Sequence, residues 1–255
     1  SAIVRFENQA AAEIAAKLDG DSKQVSVKTV PNGIFGGAMG DLESATIRAS
    51  KFTTKGLPLF TEPERSKKGR VQSLQIELSD FRLGDLDIES LKAVIPECRY
   101  DFNLAIKKGQ IRLSKSGTGT GEVRISEKAL ERFVLTKFRE ILSVSIRCNR
   151  DWIWIEGIGE FLVIKTAFRV LAKLEPVNGN KLVLSQARVA FDGLPVDREV
   201  ADAVLQTLNP VVDLDKDLNL YGAIKVDKVA SENGFLTASG ATTIPVRPHD
   251  SRQLE

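Results

Sequence analysis

Two stretches of this chain repeat one pattern, and the repeat constrains the fold more than any other feature of the sequence. LQIELSDFRLGDLDIESLKAVI (residues 74–95) aligns with LVLSQARVAFDGLPVDREVADAVLQTL (residues 182–208) so that Leu74 matches Leu182. Each stretch starts with the apolar alternation of a half-buried strand, passes a Gly/Asp turn and continues into a segment predicted to be helical. Such self-similarity predicts a duplicated strand-turn-helix unit.

The repeat predicts how the chain is divided. We expect two similar halves, about residues 1–121 and 122–244, within a single domain that spans residues 1–253. The polar segment 245–255 is expected to be a loose tail, and its final Leu-Glu dipeptide resembles a cloning scar.

The spacing of apolar residues predicts few helices and many strands. Helices are expected at residues 1–18, 89–95 and 197–208 and directly after Ser126, a helix-capping residue type. Alternation predicts strands over most of the rest, including a hairpin from 100 to 113. Because strands and helices do not alternate in the parallel manner, the predicted class is α+β, with long, strongly curved antiparallel sheets wrapped around amphipathic helices.

Three segments interrupt these patterns. The glycine-rich run 33–40 predicts bulges in a curved strand, since glycines within strands usually mark bulges or sharp coiling. Residues 55–70 combine Pro, Gly and several basic side chains, which predicts a mobile loop. The Gly/Thr run 116–121 lacks the following helix that a phosphate-binding loop needs, so it is interpreted as a flexible hairpin loop.

Composition limits the class of partner. With 255 residues, 42% of them hydrophobic, the chain can bury a substantial core. Its 36 basic and 34 acidic side chains nearly balance, which argues against a nucleic-acid partner, because phosphate contacts usually need a strongly basic face. No apolar run approaches the roughly 20 residues that a membrane-spanning helix needs.

The residue types of common catalytic centres are scarce. His249 is the only histidine and lies in the polar tail, so histidine-based catalysis is nearly excluded. Cys98 and Cys148 are too few for a structural zinc site, and whether they pair is left open. The alternating aspartates of residues 213–217 lack the Gly and Glu of a calcium loop and are interpreted as a solvated strand face. We therefore predict no catalytic residue, no cofactor and no metal.

A tryptophan-rich strand and the helix after Ser126 are candidates for the wall of a cavity. Trp152 and Trp154 share one face of the strand and isoleucines share the other, so the strand either lies within a solid core or turns one face toward a cavity or a membrane. The helix carries a wide apolar stripe that could lie inside a rolled sheet. The predicted cavity lining comprises Ile14, Leu130, Phe133, Val134, Phe138, Trp152, Trp154, Val204 and Leu208.

The basic loop is a candidate for contact with a membrane. As a surface loop it would need no partner at all. As a headgroup contact, each Lys or Arg near an anionic bilayer would contribute on the order of 1 kcal/mol, while apolar neighbours enter the interface. The predicted membrane contact comprises Leu57, Leu59, Phe60, Arg65, Lys67, Lys68 and Arg70.

Several segments carry a family resemblance that covers most of the chain, from about Val4 to Gly240. They include QVSVKTV, GIFGGAMGDLESATIRASKF and the two repeated stretches. In these segments the chain resembles the LmeA-like phospholipid-binding family, which occurs in bacterial envelopes and cyanobacteria. The resemblance implies phospholipid binding, association with a cell envelope or a photosynthetic membrane, and no enzyme activity. It also implies an architecture similar to tubular lipid-binding domains, and it offers no catalytic residue to carry over.

The leading hypothesis is non-catalytic binding of a phospholipid or other acyl lipid in an elongated apolar cavity, by a carrier or sensor at a membrane surface. Burying an acyl chain of about 16 carbons would contribute on the order of 12 kcal/mol before costs. The alternative is a structural or protein-interaction module with a solid core and an exposed strand edge. A lipid-modifying enzyme has the least support, because no histidine pair or metal cluster is available.

The expected location is the cell envelope or the thylakoid or periplasmic side of a membrane, and the cytoplasmic membrane face is left open. The chain begins at Ser1 without Met, so a signal or anchor could have preceded it. The sequence identifies no protein partner, no particular lipid and no oligomeric state.

Overall fold

A computed structural model describes residues 2–161 and 163–248, and its secondary structure confirms the α+β class. The helices are α1 (Ala2–Ala15), α2 (Gly33–Ala38), α3 (Phe102–Lys108), α4 (Glu127–Lys137) and α5 (Arg198–Leu208). The strands are β1 (Gln24–Pro31), β2 (Asp41–Ser50), β3 (Thr53–Thr54), β4 (Gly69–Leu83), β5 (Leu86–Tyr100), β6 (Leu113–Lys115), β7 (Gly119–Ser126), β8 (Ile141–Asn149), β9 (Trp152–Phe161), β10 (Ile164–Val177), β11 (Lys181–Phe191), β12 (Leu194–Pro195), β13 (Val212–Asp213), β14 (Ile224–Glu232) and β15 (Phe235–Thr242).

The larger of the two sheets, sheet A, has the strand order β1-β2-β4-β5-β7-β15-β14, with β3 beside β4 and β6 beside β5. Its pairs are antiparallel except that β2 and β3 both run parallel to β4, starting with Asp41 opposite Arg70. This parallel pairing departs from the predicted antiparallel arrangement, because the chain crosses from β2 to β4 instead of turning in a hairpin. Strands β14 and β15 join sheet A next to β7, although they come late in the sequence.

The smaller sheet, sheet B, is a strongly curled half-barrel with the order β12-β11-β10-β9-β8 and with β13 beside β11. Helix α4 packs against β8 and helix α5 against β11. Their apolar faces meet the inward side chains of the sheet in one core, which includes Leu130, Phe133, Ile153, Val170 and Val204. Each of these side chains is buried, so the helices fill the curl of sheet B.

Local caps explain why α4 and α5 begin where the sequence predicts them. The Ser126 hydroxyl accepts a hydrogen bond from the backbone N–H of Ala129 at 3.1 Å, and the Asp197 carboxylate accepts one from Val200 at 2.9 Å. Each bond satisfies a donor that has no partner in the first helical turn.

A shared kink bends the long hairpin of β4 and β5. Along β4 the inward-facing side chains step by two residues from Leu74 to Leu78 and then by three, to Phe81. Asp80 lies within that step and has a positive φ of 49°. Along β5 the same three-residue step separates Ile88 from Leu91, at the matching level of the ladder. Both strands therefore coil at one place, as strands do at irregularities of this kind.

The helix predicted at residues 89–95 is wrong, because these residues lie within β5. The three-residue step from Ile88 to Leu91 and the four-residue step from Leu91 to Ile95 imitate helical periodicity. In the fold, Ser90 pairs with β4 on one side and β7 on the other, and this pairing outweighs local preference. The repeat therefore covers a strand and a turn in both stretches, but a helix only in the second.

The hairpin predicted from Tyr100 to Leu113 is wrong, because helix α3 occupies its first half. The Asp101 carboxylate caps this helix by accepting a hydrogen bond from the Leu104 N–H at 3.0 Å. Two lysines in the last turn suit the helix C-terminus, and Gly109 ends the helix with a φ of 66°. These local signals prevail over the apolar alternation.

The glycine run predicted to bulge a strand forms α2 instead. Gly36 and Gly37 face the protein, where an added Cβ would lie 3.2 Å from the Cβ of Asn32 and 2.9 Å from the Cβ of Pro31. Small residues thus let a short helix rest directly on the preceding chain. The larger side chains of this helix point the other way.

The flexible loop predicted at residues 116–121 is wrong for its second half, which begins strand β7. A Cβ added to Gly119 would lie 1.8 Å from the carbonyl oxygen of Val94, and one added to Gly117 would lie 2.1 Å from that of Pro96. The glycines therefore serve close backbone approach to β5 rather than flexibility.

The solvated strand face predicted for the three alternating aspartates is also wrong, because they form a tight turn. Asp213 is only 4% exposed, and its carboxylate accepts hydrogen bonds from the N–H groups of Asp215 and Lys216. Asp217 accepts one from the Lys137 ammonium at 2.6 Å. Across the described ranges, no group of acidic, histidine and cysteine side chains could hold a metal ion.

Candidate functional site

An elongated apolar cavity lies along the inner face of sheet A. Side chains of β2, β4, β5, β7 and β15 form its floor. Helix α1, a strap formed by residues 53–61 and a segment formed by residues 212–224 form its roof. The lining from β4 alone extends from Val71 to Leu83, which corresponds to roughly 40 Å of strand at about 3.3 Å per residue.

The size of this space separates it from a packing defect. The volume open to the centres of water molecules is about 250 Å³, and the walls are almost wholly apolar. One water centre needs about 10–15 Å³ on this scale, and closely packed cores contain few voids larger than a single water. The protein's own side chains therefore do not fill the space between the inner face of sheet A and its roof.

The strap is tied down along its length. The Thr61 N–H donates to the carbonyl oxygen of Pro245 at 2.9 Å, and the Asn219 side-chain amide donates to the carbonyl oxygen of Lys55 at 2.9 Å. Thr53 also pairs through a β-bridge with Asp19, which follows α1. The strap thus crosses the cavity and is bonded to the chain after α1, to the 212–224 segment and to Pro245, which follows β15.

A charged rim formed by Glu13, Lys17 and Arg112 interrupts the apolar lining. The Arg112 guanidinium lies 3.1 Å from the Glu13 carboxylate and 3.6 Å from the Glu62 carboxylate, so both neighbours share its charge. Lys17 has no ion pair among the described residues, and partial burial lowers the pKa of its ammonium, as do the charges of Arg112 and Arg247. The rim therefore offers one cation without a fixed counterion.

Tyr100 is a polar group that the cavity wall keeps neutral. Its hydroxyl donates a hydrogen bond to the carbonyl oxygen of Gly40 at 3.1 Å. Burial raises the pKa of Tyr100 to about 12, and the nearby Asp41 charge acts in the same direction. Since the hydroxyl is held by backbone, it adds no free charge to the lining.

Ile14, one of the predicted lining residues, borders the cavity along sheet A. Most of the other predicted lining residues are buried in the core between sheet B and its helices instead: Leu130, Phe133, Val134, Phe138, Val204 and Leu208. None of these six borders the cavity along sheet A. Helices α4 and α5 use their apolar stripes to fill space rather than to enclose it.

The two tryptophans lie on the outer face of β9, away from the cavity. Trp152 is 37% exposed, while Ile153 on the opposite face is only 1% exposed. The Lys173 ammonium lies 5.4 Å from the Trp152 ring centre, and the Arg169 guanidinium lies 5.0 Å from that of Trp154. These cation–π contacts cover the indoles with side chains of the neighbouring strand.

The residues predicted to contact a membrane are divided between several environments. Leu57 and Leu59, from the strap, line the cavity. Phe60 is partly covered by Tyr221, with ring centres 6.2 Å apart, and by the Arg247 guanidinium at 5.5 Å. These apolar residues belong to the roof of the cavity.

The basic members of that group lie beyond the strap. Arg65 forms an ion pair with Glu62, and Arg70 forms one with Glu97 at 3.2 Å. Lys67 and Lys68 are exposed, and neither has an ion pair in the part of the chain that the structure describes. Only these two lysines remain free for an external anion.

Sequence reasoning missed most of the wall, which is the apolar face of sheet A. The alternation in these strands shows that one face is buried, but it does not show whether that face meets other side chains or empty space. The missed wall residues include Leu42, Ile47, Leu74, Ile76, Leu78, Leu91, Ala93, Ile95, Val123 and Ala238.

The fold and the cavity define a class of protein, a β-rich container with an internal apolar compartment. No helix in residues 2–161 and 163–248 combines the length and apolar character needed to cross a membrane. The chain belongs to the LmeA-like phospholipid-binding family, which it matches over residues 4–241. This is a phospholipid-binding family and not a known enzyme family. Searches of curated proteins and of solved structures found no match.

Proposed function

We propose that this protein binds a phospholipid or another acyl lipid with its hydrocarbon in the cavity along sheet A, and acts without catalysis as a carrier or sensor at a membrane. The observation that carries the proposal is the elongated, almost wholly apolar space in a member of a phospholipid-binding family. Ligand sites of this kind are concave and apolar with few polar groups, which matches this wall.

Energetics support hydrocarbon as the occupant. Each buried CH₂ contributes about 0.8 kcal/mol, so an acyl chain of about 16 carbons would contribute on the order of 12 kcal/mol before the entropy of binding is subtracted. An apolar cavity therefore needs no charged trap to retain a lipid. The Lys17 ammonium on the rim would stand near the phosphate, because a lipid keeps its headgroup toward solvent.

The cavity also argues against the alternative of a structural module with a solid core, since that alternative requires a filled interior. We propose a non-catalytic role because the chain belongs to a phospholipid-binding family and not to a known enzyme family. The only histidine, His249, lies outside the described residues.

Lipid extraction tests the proposal. Protein purified without detergent should release phospholipid or another acyl lipid on extraction, identified by mass spectrometry, and Ala93→Phe should reduce the amount. Ala93 lies on the wall and is 4% exposed, so a phenyl ring there would occupy the cavity. Val94→Phe is the matched control, because Val94 is the next residue, is 50% exposed and does not border the cavity.

Thermal unfolding of both variants would show that they are folded. If the wild-type protein carries no lipid and takes up no fluorescent phospholipid, the proposal is overturned. Transfer of labelled phospholipid between vesicles separates the two roles, because a carrier accelerates transfer whereas a sensor binds lipid without accelerating it.

A further inference from the structure

Helix α2 exposes a cluster of large apolar side chains. Ile34 is 90% exposed, Phe35 is 87% exposed, and Met39, just after the helix, is 75% exposed. The helix has no buried residue, since its glycines rather than its large side chains face the protein. We call Ile34, Phe35 and Met39 the apolar tip. Contiguous apolar surface of this kind usually marks a site of interaction with a protein or a membrane.

Two segments that carry free lysines meet the chain directly after the apolar tip. The Gly40 carbonyl oxygen, directly after the tip, accepts a hydrogen bond from the Arg70 N–H at 2.9 Å, which places the end of the basic loop beside α2. Gly40 also lies against the ring of Phe102, the first residue of α3. The basic loop and α3 each carry two exposed lysines that have no ion pair among the described residues: Lys67, Lys68, Lys107 and Lys108.

Acidic side chains in the same segments keep their negative charge, including the exposed Glu43 and Glu64, which form no ion pair among the described residues. Asp41 accepts a hydrogen bond from the Asn32 amide at 2.8 Å, and that bond lowers the pKa of its carboxyl. Glu97 pairs with Arg70, and Asp101 caps α3. Residues 28–43, 62–70 and 97–108 together carry eight basic and six acidic side chains, so the segments that meet at the apolar tip have a net charge of +2.

We propose that the apolar tip inserts into the interface of an anionic lipid bilayer while the four lysines contact its headgroups. This inference rests on the proposed lipid-binding function and names where the membrane docks. Apolar side chains that enter a membrane beside lysines are the pattern of interfacial anchors. The cavity reaches the same end of sheet A, since Leu42, Val71 and Tyr100 line it there. Docking at the tip would bring the end of the cavity to the lipid surface.

Vesicle binding tests the apolar part. The variant Ile34→Ser/Phe35→Ser/Met39→Ser should bind vesicles of phosphatidylcholine mixed with phosphatidylglycerol roughly 1000-fold more weakly than the wild type, at about tenfold per side chain. The matched control Val163→Ser/Ile164→Ser/Leu194→Ser removes three apolar side chains, 92%, 58% and 72% exposed, from β10, β12 and the residue just before β10. This control should bind as the wild type does.

The charged part has a separate signature. The variant Lys67→Gln/Lys68→Gln/Lys107→Gln/Lys108→Gln should lose roughly fivefold in affinity per lysine on the mixed vesicles. It should change little on phosphatidylcholine alone, and the wild type should lose the same increment at high salt. Equal loss on both kinds of vesicle would contradict the role of the lysines.

Failure of this inference can be told apart from failure of the proposed function. The tip variant should still take up phospholipid from detergent micelles, whereas Ala93→Phe should lose uptake but still bind vesicles. If the tip variant binds mixed vesicles like the wild type, or if its only change is a loss of self-association, the membrane tip is overturned. If the wild type binds vesicles through the tip but never takes up lipid, the tip stands and the cavity proposal falls.

Discussion

The carboxylate of Glu131 accepts a hydrogen bond from the backbone N–H of Ile146 at 2.9 Å, across the contact between α4 and β8. One helical turn earlier, the Glu127 carboxylate accepts one from the Cys148 N–H at 2.6 Å. Strand β8 is an edge of sheet B, so these N–H groups have no neighbouring strand to bond. Two glutamates of one helix thus complete the open edge of a sheet.

Glu131→Ala should destabilise the protein by about 1–3 kcal/mol, because Ile146 is 1% exposed and its N–H would lose its acceptor without gaining water. Lys128→Ala is the control. It removes only the exposed lysine that pairs with Glu131, at 76% side-chain exposure, and should cost less than about 1 kcal/mol. Urea unfolding followed by circular dichroism measures both. Equal effects of the two variants would contradict the role of the edge contact.

The acid stability of the protein should depend on Asp87. Hydrogen bonds from Arg82, at 2.7 Å, and from Arg132 of α4, at 2.9 Å, hold the pKa of this carboxyl below its usual value, although burial opposes them. A lowered folded-state pKa gives stability that is present above the unfolded value, near 3.8, and is lost as the pH falls through the folded value.

In Asp87→Asn, the loss of unfolding free energy below about pH 4 should therefore be smaller than in the wild type by roughly 0.5–1 kcal/mol. The amount is modest because the ion pair is partly exposed. Chemical unfolding at a series of pH values measures the slope. Glu77→Gln is the comparison, since both members of the Glu77–Arg48 pair are more exposed than those of the Asp87–Arg82 pair. An acid limb that is unchanged in Asp87→Asn would exclude this source of pH dependence.

Gly119→Ala should destabilise the protein by about 1–3 kcal/mol, because a Cβ there would lie 1.8 Å from the Val94 carbonyl oxygen and β5 and β7 would have to separate. Thr120→Ala, at the exposed next position, should have little effect. Thermal unfolding of the two variants is the measurement. Full stability of Gly119→Ala would restore the interpretation of this run as a flexible loop.

Cys98 and Cys148 should be unreactive in the native protein. Both are free and buried, one in each sheet. Burial raises the pKa of Cys148 to about 12 and also raises that of Cys98, so neither thiol forms the reactive thiolate at neutral pH. A thiol reagent should label neither cysteine before unfolding and both in denaturant. Fast labelling of the native protein, or an intact disulfide on non-reducing mass analysis, would contradict this expectation.

Lys17→Gln should weaken binding of anionic phospholipid relative to zwitterionic phospholipid by several-fold, because the rim would lose its one cation without a counterion. Lys225→Gln is the control, since that lysine is exposed on β14 and does not border the cavity. Competition for uptake between the two kinds of lipid measures the preference. An unchanged preference would remove the rim from headgroup recognition.

Local patterns in the sequence predict much of this fold. Alternation predicts the long strands β4, β10 and β11, because a half-buried strand must alternate wherever it lies. The Ser126 and Asp197 caps fix the starts of two helices through bonds between near neighbours in the chain. Where alternation and local caps compete, as in α3, the caps prevail, since a single helical turn needs no distant partner.

Tertiary structure decided the rest, and above all the candidate site. The kink that β4 and β5 share at the level of Asp80 gives the inward-facing side chains of β5 a helical spacing. Only the pairing of β5 with β4 and β7 shows that it is a strand. Ile14 of the predicted lining borders the cavity, whereas the apolar stripes of α4 and α5 lie in the core. An apolar stripe reports that a face avoids water. It does not report what lies opposite.

The sequence by itself determined which faces are apolar and where most elements begin. Only the tertiary structure decided that sheet B closes on its own helices while sheet A encloses unfilled space. The physical reason is that filling depends on the summed volumes of side chains far apart in the chain, brought together by contacts such as the pairing of β7 with β15.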